Sequence, residues 1–411
     1  MYNLDLHIKQ VTGEIRKIIT ESQLKTHDDE VMKLIEDHVL HDSRTMMQSH
    51  KNKSLIIEAV FNATRMELDI LQPLADNKQI NEIMVNGTDP IFIERNGKLE
   101  KTAIRFENKE QLEEIIRRIA AKVHREINEL NPIVDARLDD GSRVNAIYKN
   151  IAINGPILTI RKFPQNQIKM ENLIQNKAIT SEAAEFLKIL VISGYNIFIS
   201  GGTSSGKTTF LNVLTNYIPK DERVIVIEDS AELQINAIEN IVRMETKNAN
   251  VQGKGEITVR QLIKTSLRMR PDRIIVGEVR GGEVLDMIQA MNTGHDGSLS
   301  TGHANSPAGM LSRLETMYLT AADFPINAIR GQLASALDII VHLGRLCDRS
   351  RRVLEITEIC EYNGDQIVLN PLFKFQFGEI QEHIVESGTL LPTGNRLRNT
   401  NKLEMRGLTI Q

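Results

Sequence analysis

Ser200-Gly-Gly-Thr-Ser-Ser-Gly-Lys-Thr-Thr-Phe210 reads G-x-x-x-x-G-K-T across Gly201, Gly206, Lys207 and Thr208, the spacing of a phosphate-binding loop. Ahead of it, Asn196-Ile-Phe-Ile-Ser200 is a short apolar run of strand type. Behind it, Thr209 to Tyr217 reads as a helix that ends before Pro219. Strand, glycine loop and helix form the context that the motif needs. Gly201, Gly202 and Gly206 allow the loop to curl until successive main-chain N–H groups face one anion. A helix starting near Gly206 adds unpaired N–H groups and the positive end of its dipole. Lys207 supplies a point charge for β- and γ-phosphates, and the Thr208 hydroxyl suits Mg²⁺. With Gly202, Thr203, Ser204, Ser205 and Thr209, these residues are the expected nucleotide contacts.

Downstream the pattern alternates. Thr180 caps a helix running to Ser193, closed by Gly194. Strands are expected at Asn196–Ser200, Arg223–Glu228, Arg273–Gly277, Gly297–Gly302 and Asp338–Leu343, with helices between them at Val259–Met269 and Gly282–Met291. That alternation predicts a mostly parallel sheet covered on both faces, an α/β fold. Ligands of such sheets bind at the carboxyl ends of the strands. There stand Glu228-Asp229, Gly277-Glu278 and His303, with His295 just upstream. Hydrolysis of a phosphoanhydride needs an oriented water and compensation of charge on the transferred group. Glu278 is the expected water-orienting carboxylate. Glu228 and Asp229 are expected to hold Mg²⁺ through its waters or to assist the water, and the histidines to sense the γ-phosphate. The planar, permanently charged forks of Arg143, Arg161, Arg243, Arg268, Arg270 and Arg280 suit phosphate recognition.

The first part of the chain differs. Residues 1–75 read as helices, with Val31, Leu34, Ile35 and Val39 on one face. A further helix is expected from a Ser54 cap through Leu55, Ala59, Met66 and Ile70 to a stop at Pro73. Residues 76–163 read as a small α+β domain, with strands around Glu82–Gly87, Asp89–Glu94, Arg143–Tyr148 and Ile157–Arg161, a turn at Asn96-Gly97 and a helix over Lys109–Val123. A hydrophilic linker, 164–179, leads to the core domain, 180–411. This ends in a hairpin around Asn363-Gly364 and a polar tail after Gly388.

Composition sets outer limits. In 411 residues, 41% are hydrophobic and 25% charged, as in a globular chain of about two or three domains. The net charge of −4 gives no basic face for nucleic acid. No apolar run reaches the length of about eighteen residues that a membrane helix needs, and charges at Asp5, Lys9, Glu14, Arg16 and Lys17 exclude a signal peptide core. Cys347 and Cys360 are too few for a disulfide framework and read as two buried thiols in a cytosolic protein.

Long ordered blocks carry a family resemblance from about Leu71 to Leu354. They include EIMVNG (Glu82–Gly87), IERNGKL (Ile93–Leu99), NPIVDARLDDGSRVNA (Asn131–Ala146) and GPILTIRKF (Gly155–Phe163). The phosphate loop follows, then VIEDSAELQ ending at Gln234, the segment Gly253–Glu283 containing RPDRIIVGEVRGGE, and AMNTGHDGSLSTGHANSP (Ala290–Pro307). The chain resembles the type II/type IV secretion ATPases, most closely the CpaF-type ATPases of tight-adherence (Tad/Flp) pilus assembly. The resemblance implies a RecA-like P-loop NTPase core, an N-terminal α+β (PAS-like) domain and a helical bundle, with nucleotide between the domains of a hexamer. It implies ATP and Mg²⁺, a cytoplasmic location peripheral to the membrane, and a membrane-embedded platform protein as partner. Lys207 and Thr208 become the Walker A grip, Glu228 and Asp229 an acidic box, Glu278 the catalytic glutamate, and His295 and His303 a histidine box. Thr208, Glu228 and Glu278 are then the metal-side residues. Arg143 and Arg161 match arginines that the family brings to the nucleotide, and Arg243 joins the catalytic candidates. Gly277 stands where P-loop enzymes commonly carry a Walker B aspartate. The mechanism implied is closure of the small domain on ATP, with a hinge around Pro164–Ala178.

Four other readings compete, among them a DNA translocase, which would want a basic lining that the net charge does not support. Another is a type IV secretion ATPase powering protein or DNA export. A P-loop kinase would need an acceptor lid, and an ATP-binding scaffold would not need Lys207, Thr208 and Glu278 together.

Overall fold

The computed structural model describes residues 4–21, 28–66, 68–95, 97–163, 168–247, 249, 253–378, 380–381, 384–385 and 388–410. The chain divides into two units, Met1–Asn166 and Gln167–Gln411.

In the first unit, helices α1 (Leu4–Glu21), α2 (Asp28–His41) and α3 (His50–Arg65) bury Ile15, Val31, Ile35, Ile56 and Val60 against one another. The start of α3 corrects the sequence expectation. Ser49, not Ser54, is its cap, accepting a hydrogen bond from the Asn52 N–H at 3.3 Å. The helix stops at Met66, whose backbone is extended. Pro73 begins rather than ends a helix, standing in the first turn of α4 (Gln72–Asp76), where a missing N–H costs nothing.

Six antiparallel strands follow: β1 (Ile80–Asn86), β2 (Ile91–Arg95), β3 (Lys98–Lys101), β4 (Ile133–Arg137), β5 (Arg143–Ile147) and β6 (Ile157–Arg161), ordered β3-β2-β1-β6-β5-β4. Helix α5 (Lys109–Lys122), capped by Asn108, presents Leu112, Ile115, Ile116 and Ile119 to the same hydrophobic core as the inward residues of β1 and β6.

The second unit is built on a nine-stranded sheet ordered β17-β14-β13-β12-β7-β11-β10-β8-β9. Its parallel part comprises β7 (Ile197–Gly201), β8 (Val224–Glu228), β9 (Ile241–Glu245), β10 (Arg273–Val276), β11 (Leu299–His303) and β12 (Ile339–Arg345). Strands β7, β8 and β10 are buried along their whole length, as a sheet covered on both faces requires. Crossovers run through α8 (Lys207–Thr215), α9 (Val259–Ser266), α10 (Glu283–Asn292), α11 (Pro307–Ala321) and α12 (Ile326–Ala336). One core cluster joins α7 (Ser181–Ile192) and α8 to one side of the sheet, and a second joins α10, α11 and α12 to the other.

Part of the expected linker is core. Residues 164–167 lie outside the described residues, and with them part of the expected hinge. Then α6 (Met170–Gln175) places Met170 in the same hydrophobic cluster as Ile179, with Leu173 and Ile174 beside it. Their i, i+3, i+4 spacing is a short amphipathic helix within a polar stretch.

The hairpin β13 (Arg351–Tyr362) and β14 (Ile367–Gln376) turns at Gly364, φ +94°. Beyond a two-residue pair, β15 (Ile380–Gln381) and β16 (Ile384–Val385), the tail forms β17 (Thr389–Pro392) on β14 and the short α13 (Asn401–Met405). The two cysteines are not a buried pair: Cys347 is exposed in the β12–β13 turn and Cys360 half-buried on β13. No described helix is long and apolar enough to cross a membrane.

Candidate active site

The glycine loop leaves β7 and enters α8 at the carboxyl edge of the parallel sheet. Gly201 has no room for a side chain, since a Cβ would stand 2.5 Å from the Leu343 carbonyl oxygen. Ser204 (φ +58°) and Gly206 (φ +94°) turn the loop back over the helix start. Gly202, Thr203 and Ser204 are exposed, Thr208 and Thr209 half-buried, and Ser205 and Lys207 buried. The first-turn N–H groups of α8 have no carbonyl partner within the helix and point out of its amino end. Together with Lys207 they make an anion cradle.

Lys207 Nζ donates to the Gly202 carbonyl at 3.0 Å and lies 3.3 Å from His303 Nδ1. An ammonium group only donates, so Nδ1 is the acceptor and the His303 proton sits on Nε2. Nε2 is 2.8 Å from Glu278 Oε1. Glu278 Oε2 receives Arg280 Nη2 at 2.7 Å, and Arg280 Nη1 reaches Asp229 Oδ2 at 3.5 Å. A continuous chain thus runs from Lys207 through His303, Glu278 and Arg280 to Asp229. Burial, with Lys207 next, keeps the His303 imidazole below its ordinary proton affinity, consistent with a neutral ring. Burial also lowers the Lys207 pKa, while Glu278 opposes the shift.

Glu228 ends β8 and is 5% exposed. Its Oε1 accepts the Glu232 and Leu233 N–H groups at 2.8 and 3.0 Å, fixing the loop after the strand. Burial raises its pKa and these two bonds lower it, burial prevailing. The metal-side expectation needs refinement here. Glu228 Oε1 and Glu278 Oε2 are already hydrogen-bonded, while the buried Glu278 Oε1 accepts no hydrogen bond and has only the His303 ring nitrogen near it. Hydroxyl, carboxylate and phosphate oxygens form a hard donor set that fits Mg²⁺.

His295 is not part of this constellation. It precedes β11 at the opposite, amino edge of the sheet, where Nδ1 lies 3.1 Å from the Ala290 carbonyl at the end of α10. The expectation that His295 and His303 contact one phosphate is therefore corrected within a single chain, because the whole of β11 separates them. Arg243 projects from β9 and donates to the Ile235 carbonyl at 3.0 Å, bracing the loop that Glu228 anchors. Arg143 and Arg161 belong to the first unit and face each other across β5 and β6, with Arg137 next to Arg143 and Glu82 next to Arg161.

Sequence reasoning missed three supports. Arg351 Nε donates to the Ser204 carbonyl at 3.0 Å. His342 Nδ1 lies 2.9 Å from Ser200 Oγ directly below the loop. Asn212 Oδ1 on α8 accepts the Gln234 N–H at 2.8 Å, joining the loop helix to the acidic loop. Only the order of Ser200 before Gly201 hinted at any of these. Elsewhere among the described residues, Glu14, His38 and Asp42 bring ligand-type atoms together, but Arg44 already bonds both carboxylates.

A parallel sheet with a glycine loop and acidic strand ends at its carboxyl edge defines a RecA-like P-loop core. A family model described as "Type II/IV secretion system protein" matches residues 64–381, and the chain belongs to this family. The conjugal transfer protein TrbB of Rhizobium radiobacter is 34% identical over 294 residues, covering 71% of this chain and 87% of TrbB. The type IV secretion system protein PtlH of Bordetella pertussis is 30% identical over 318 residues, covering 70% of this chain and 93% of PtlH. Among solved structures, the pilus retraction motor PilT with bound ADP matches with TM-score 0.54 at 20% identity, over 82% of this chain and 87% of PilT. The ATPase DotB of Legionella pneumophila matches with TM-score 0.51 at 20% identity, over 71% of this chain and 80% of DotB. These two likenesses concern the fold.

Proposed function

We propose that this chain hydrolyses ATP to drive a secretion or pilus machine. The observation that carries the reading is the run of contacts from Lys207 to Asp229 beside the glycine loop. Lys207 and the first turn of α8 would bind the β- and γ-phosphates. Glu278 would orient the attacking water, and His303 would link that carboxylate to Lys207 and respond when phosphate displaces their contact. Mg²⁺, when bound, would be held by Thr208 with the phosphates and would neutralise charge on the transferred group. Arg143 and Arg161 would supply guanidinium charge from the first unit, by family resemblance.

In the finer reading the active form is a hexamer at the cytoplasmic face of a membrane, working on a platform protein in Tad/Flp pilus assembly. The ordered blocks quoted above support it. A second reading is export of protein or DNA, supported by the names of TrbB and PtlH. Deleting the gene and scoring surface pili against exported or transferred cargo separates the two.

The chemistry is tested with Lys207→Ala and Glu278→Gln. Lys207→Ala should weaken nucleotide binding. Glu278→Gln should retain MgATP and lose about 10²–10³ in turnover. Glu278→Gln hydrolysing ATP at the parental rate rejects the assignment.

A further inference from the structure

Arg280 lies outside the glycine loop, yet its guanidinium directly contacts the carboxylate on which the proposed chemistry depends. We infer that Arg280 is a positioning residue that holds Glu278 and ties it to Asp229 across neighbouring strand ends. This rests on the reading of Glu278 as the group that aims the attacking water.

Four observations carry it. Glu278 and Arg280 are two apart in the loop after β10, where the Val279 N–H between them donates to the Thr301 carbonyl at 2.9 Å. The fork of Arg280 contacts two carboxylates at once, Glu278 at 2.7 Å and Asp229 at 3.5 Å. These come from the ends of β10 and β8, which pair in parallel, so the guanidinium links the two loops that follow them. The backbone that aims it is itself fixed: Glu283 Oε1 on α10 accepts the Arg280 and Gly281 N–H groups at 2.6 and 2.8 Å.

The plain alternative is a solvated ion pair of little consequence. The Arg280 side chain is 63% exposed, and such a pair contributes little to stability. What separates the two readings is turnover, not folding. A lysine at this position keeps the charge but lacks the fork that spans both carboxylates.

The experiment compares the full-length parent with Arg280→Ala, Arg280→Lys, Glu278→Gln and the double variant Glu278→Gln/Arg280→Ala. Steady-state hydrolysis of MgATP, binding of a fluorescent ATP analogue, melting temperature and particle size are read for each. Arg280→Ala should lower kcat roughly 10- to 100-fold, the effect of a small misplacement of a reacting group, with KM changed less than about threefold. Melting and size should match the parent, and Arg280→Lys should restore part of the rate. The double variant should be no slower than Glu278→Gln, because Arg280 acts through Glu278. Parental kcat in Arg280→Ala, with Glu278→Gln inactive, overturns the inference and leaves the reading of Glu278 standing. A loss seen only in KM, a loss that follows a change in particle size, or a further fall in the double variant also overturns it. Parental turnover in Glu278→Gln removes the reading of Glu278 and the inference together.

Discussion

The side chain of Glu228 fills the space beside the bare Cα of Gly277: a Cβ on Gly277 would stand 3.0 Å from Glu228 Cγ and 3.6 Å from Oε1. P-loop enzymes commonly carry an aspartate at this point, and here the neighbouring strand delivers the carboxylate instead. Gly277→Asp should therefore push Glu228 away and release the Glu232 and Leu233 N–H groups from it. A second carboxylate beside one whose pKa burial already raises adds repulsion. The expected loss is about 1–3 kcal/mol in urea unfolding, the usual range for overpacking, together with loss of hydrolysis. Gly277→Ala should show a smaller loss. Parental stability in Gly277→Asp would mean that Glu228 does not hold this space.

Much of the core was legible because buried parallel strands write themselves as unbroken apolar runs, as at Val224–Ile227. The glycine loop was legible because phosphate binding demands a fixed spacing. Strand β9 was not, since it lies at the sheet edge, where its apolar residues Ile241, Val242 and Met244 are only half-buried and Arg243 and Glu245 are exposed. His295 was misplaced because closeness in sequence hid a strand between two histidines: the five residues of β11 span about 17 Å. The role of Arg280 depends on Asp229, a partner from another strand end that no local pattern announces. The tail gave no hydrophobic period because its apolar contacts, Leu390, Leu397, Leu403 and Leu408, are irregularly spaced and interleaved with main-chain hydrogen bonds and ion pairs.

Arg351 braces the phosphate loop from outside. It donates to the Ser204 carbonyl at 3.0 Å, and its Cδ passes 3.3 Å from where a Gly206 Cβ would be. Both loop residues hold positive φ, a conformation that needs support at Ser204. Arg351→Ala should weaken ATP binding about three- to tenfold, the worth of one hydrogen bond. Urea stability should stay within about 0.5 kcal/mol. Titration calorimetry reads the first effect and unfolding the second; unchanged affinity removes the bracing role.

His342 gives the fold a pH dependence of definite sign. It is 6% exposed, and burial keeps its pKa below the ordinary 6.5, with Glu355 opposing. The unfolded chain therefore takes up the proton more readily. The stability that a neutral His342 contributes is present above about pH 6.5 and is lost as pH falls through the lowered folded value. His303 acts in the same direction. Asp338 and Glu228, with pKa values raised by burial, act in the opposite direction at their own titrations. Comparing His342→Gln with the parent cancels those contributions. The variant's urea midpoint should fall less steeply than the parent's between about pH 6.5 and 5. Parallel curves would show that His342 is as easily protonated folded as unfolded.

The C-terminal tail is a structural strap. Glu358, 1% exposed on β13, accepts the Arg398 N–H at 3.0 Å and the Asn399 N–H at 2.8 Å. Lys402 reaches both Asp338 and Asp296 at 2.7 Å, Arg406 bonds Glu222 at 2.9 Å, and Leu403 enters the main core cluster. Removing residues 395–411 strips partners from Glu358, Asp338 and Glu222 in one step, although Asn370 still bonds Glu358 and Arg273 still bonds Glu222. Leaving a buried charge underpaired costs about 3–5 kcal/mol, so the truncated chain should unfold at a clearly lower urea midpoint. Lys402→Met keeps the stem and deletes the charge, and should show a smaller loss. Neither change touches Gly201–Thr209, so ATP should still bind wherever the chain remains folded. A truncated chain that unfolds at the parental midpoint would show that the sheet edge holds Glu358 and Asp338 without the strap.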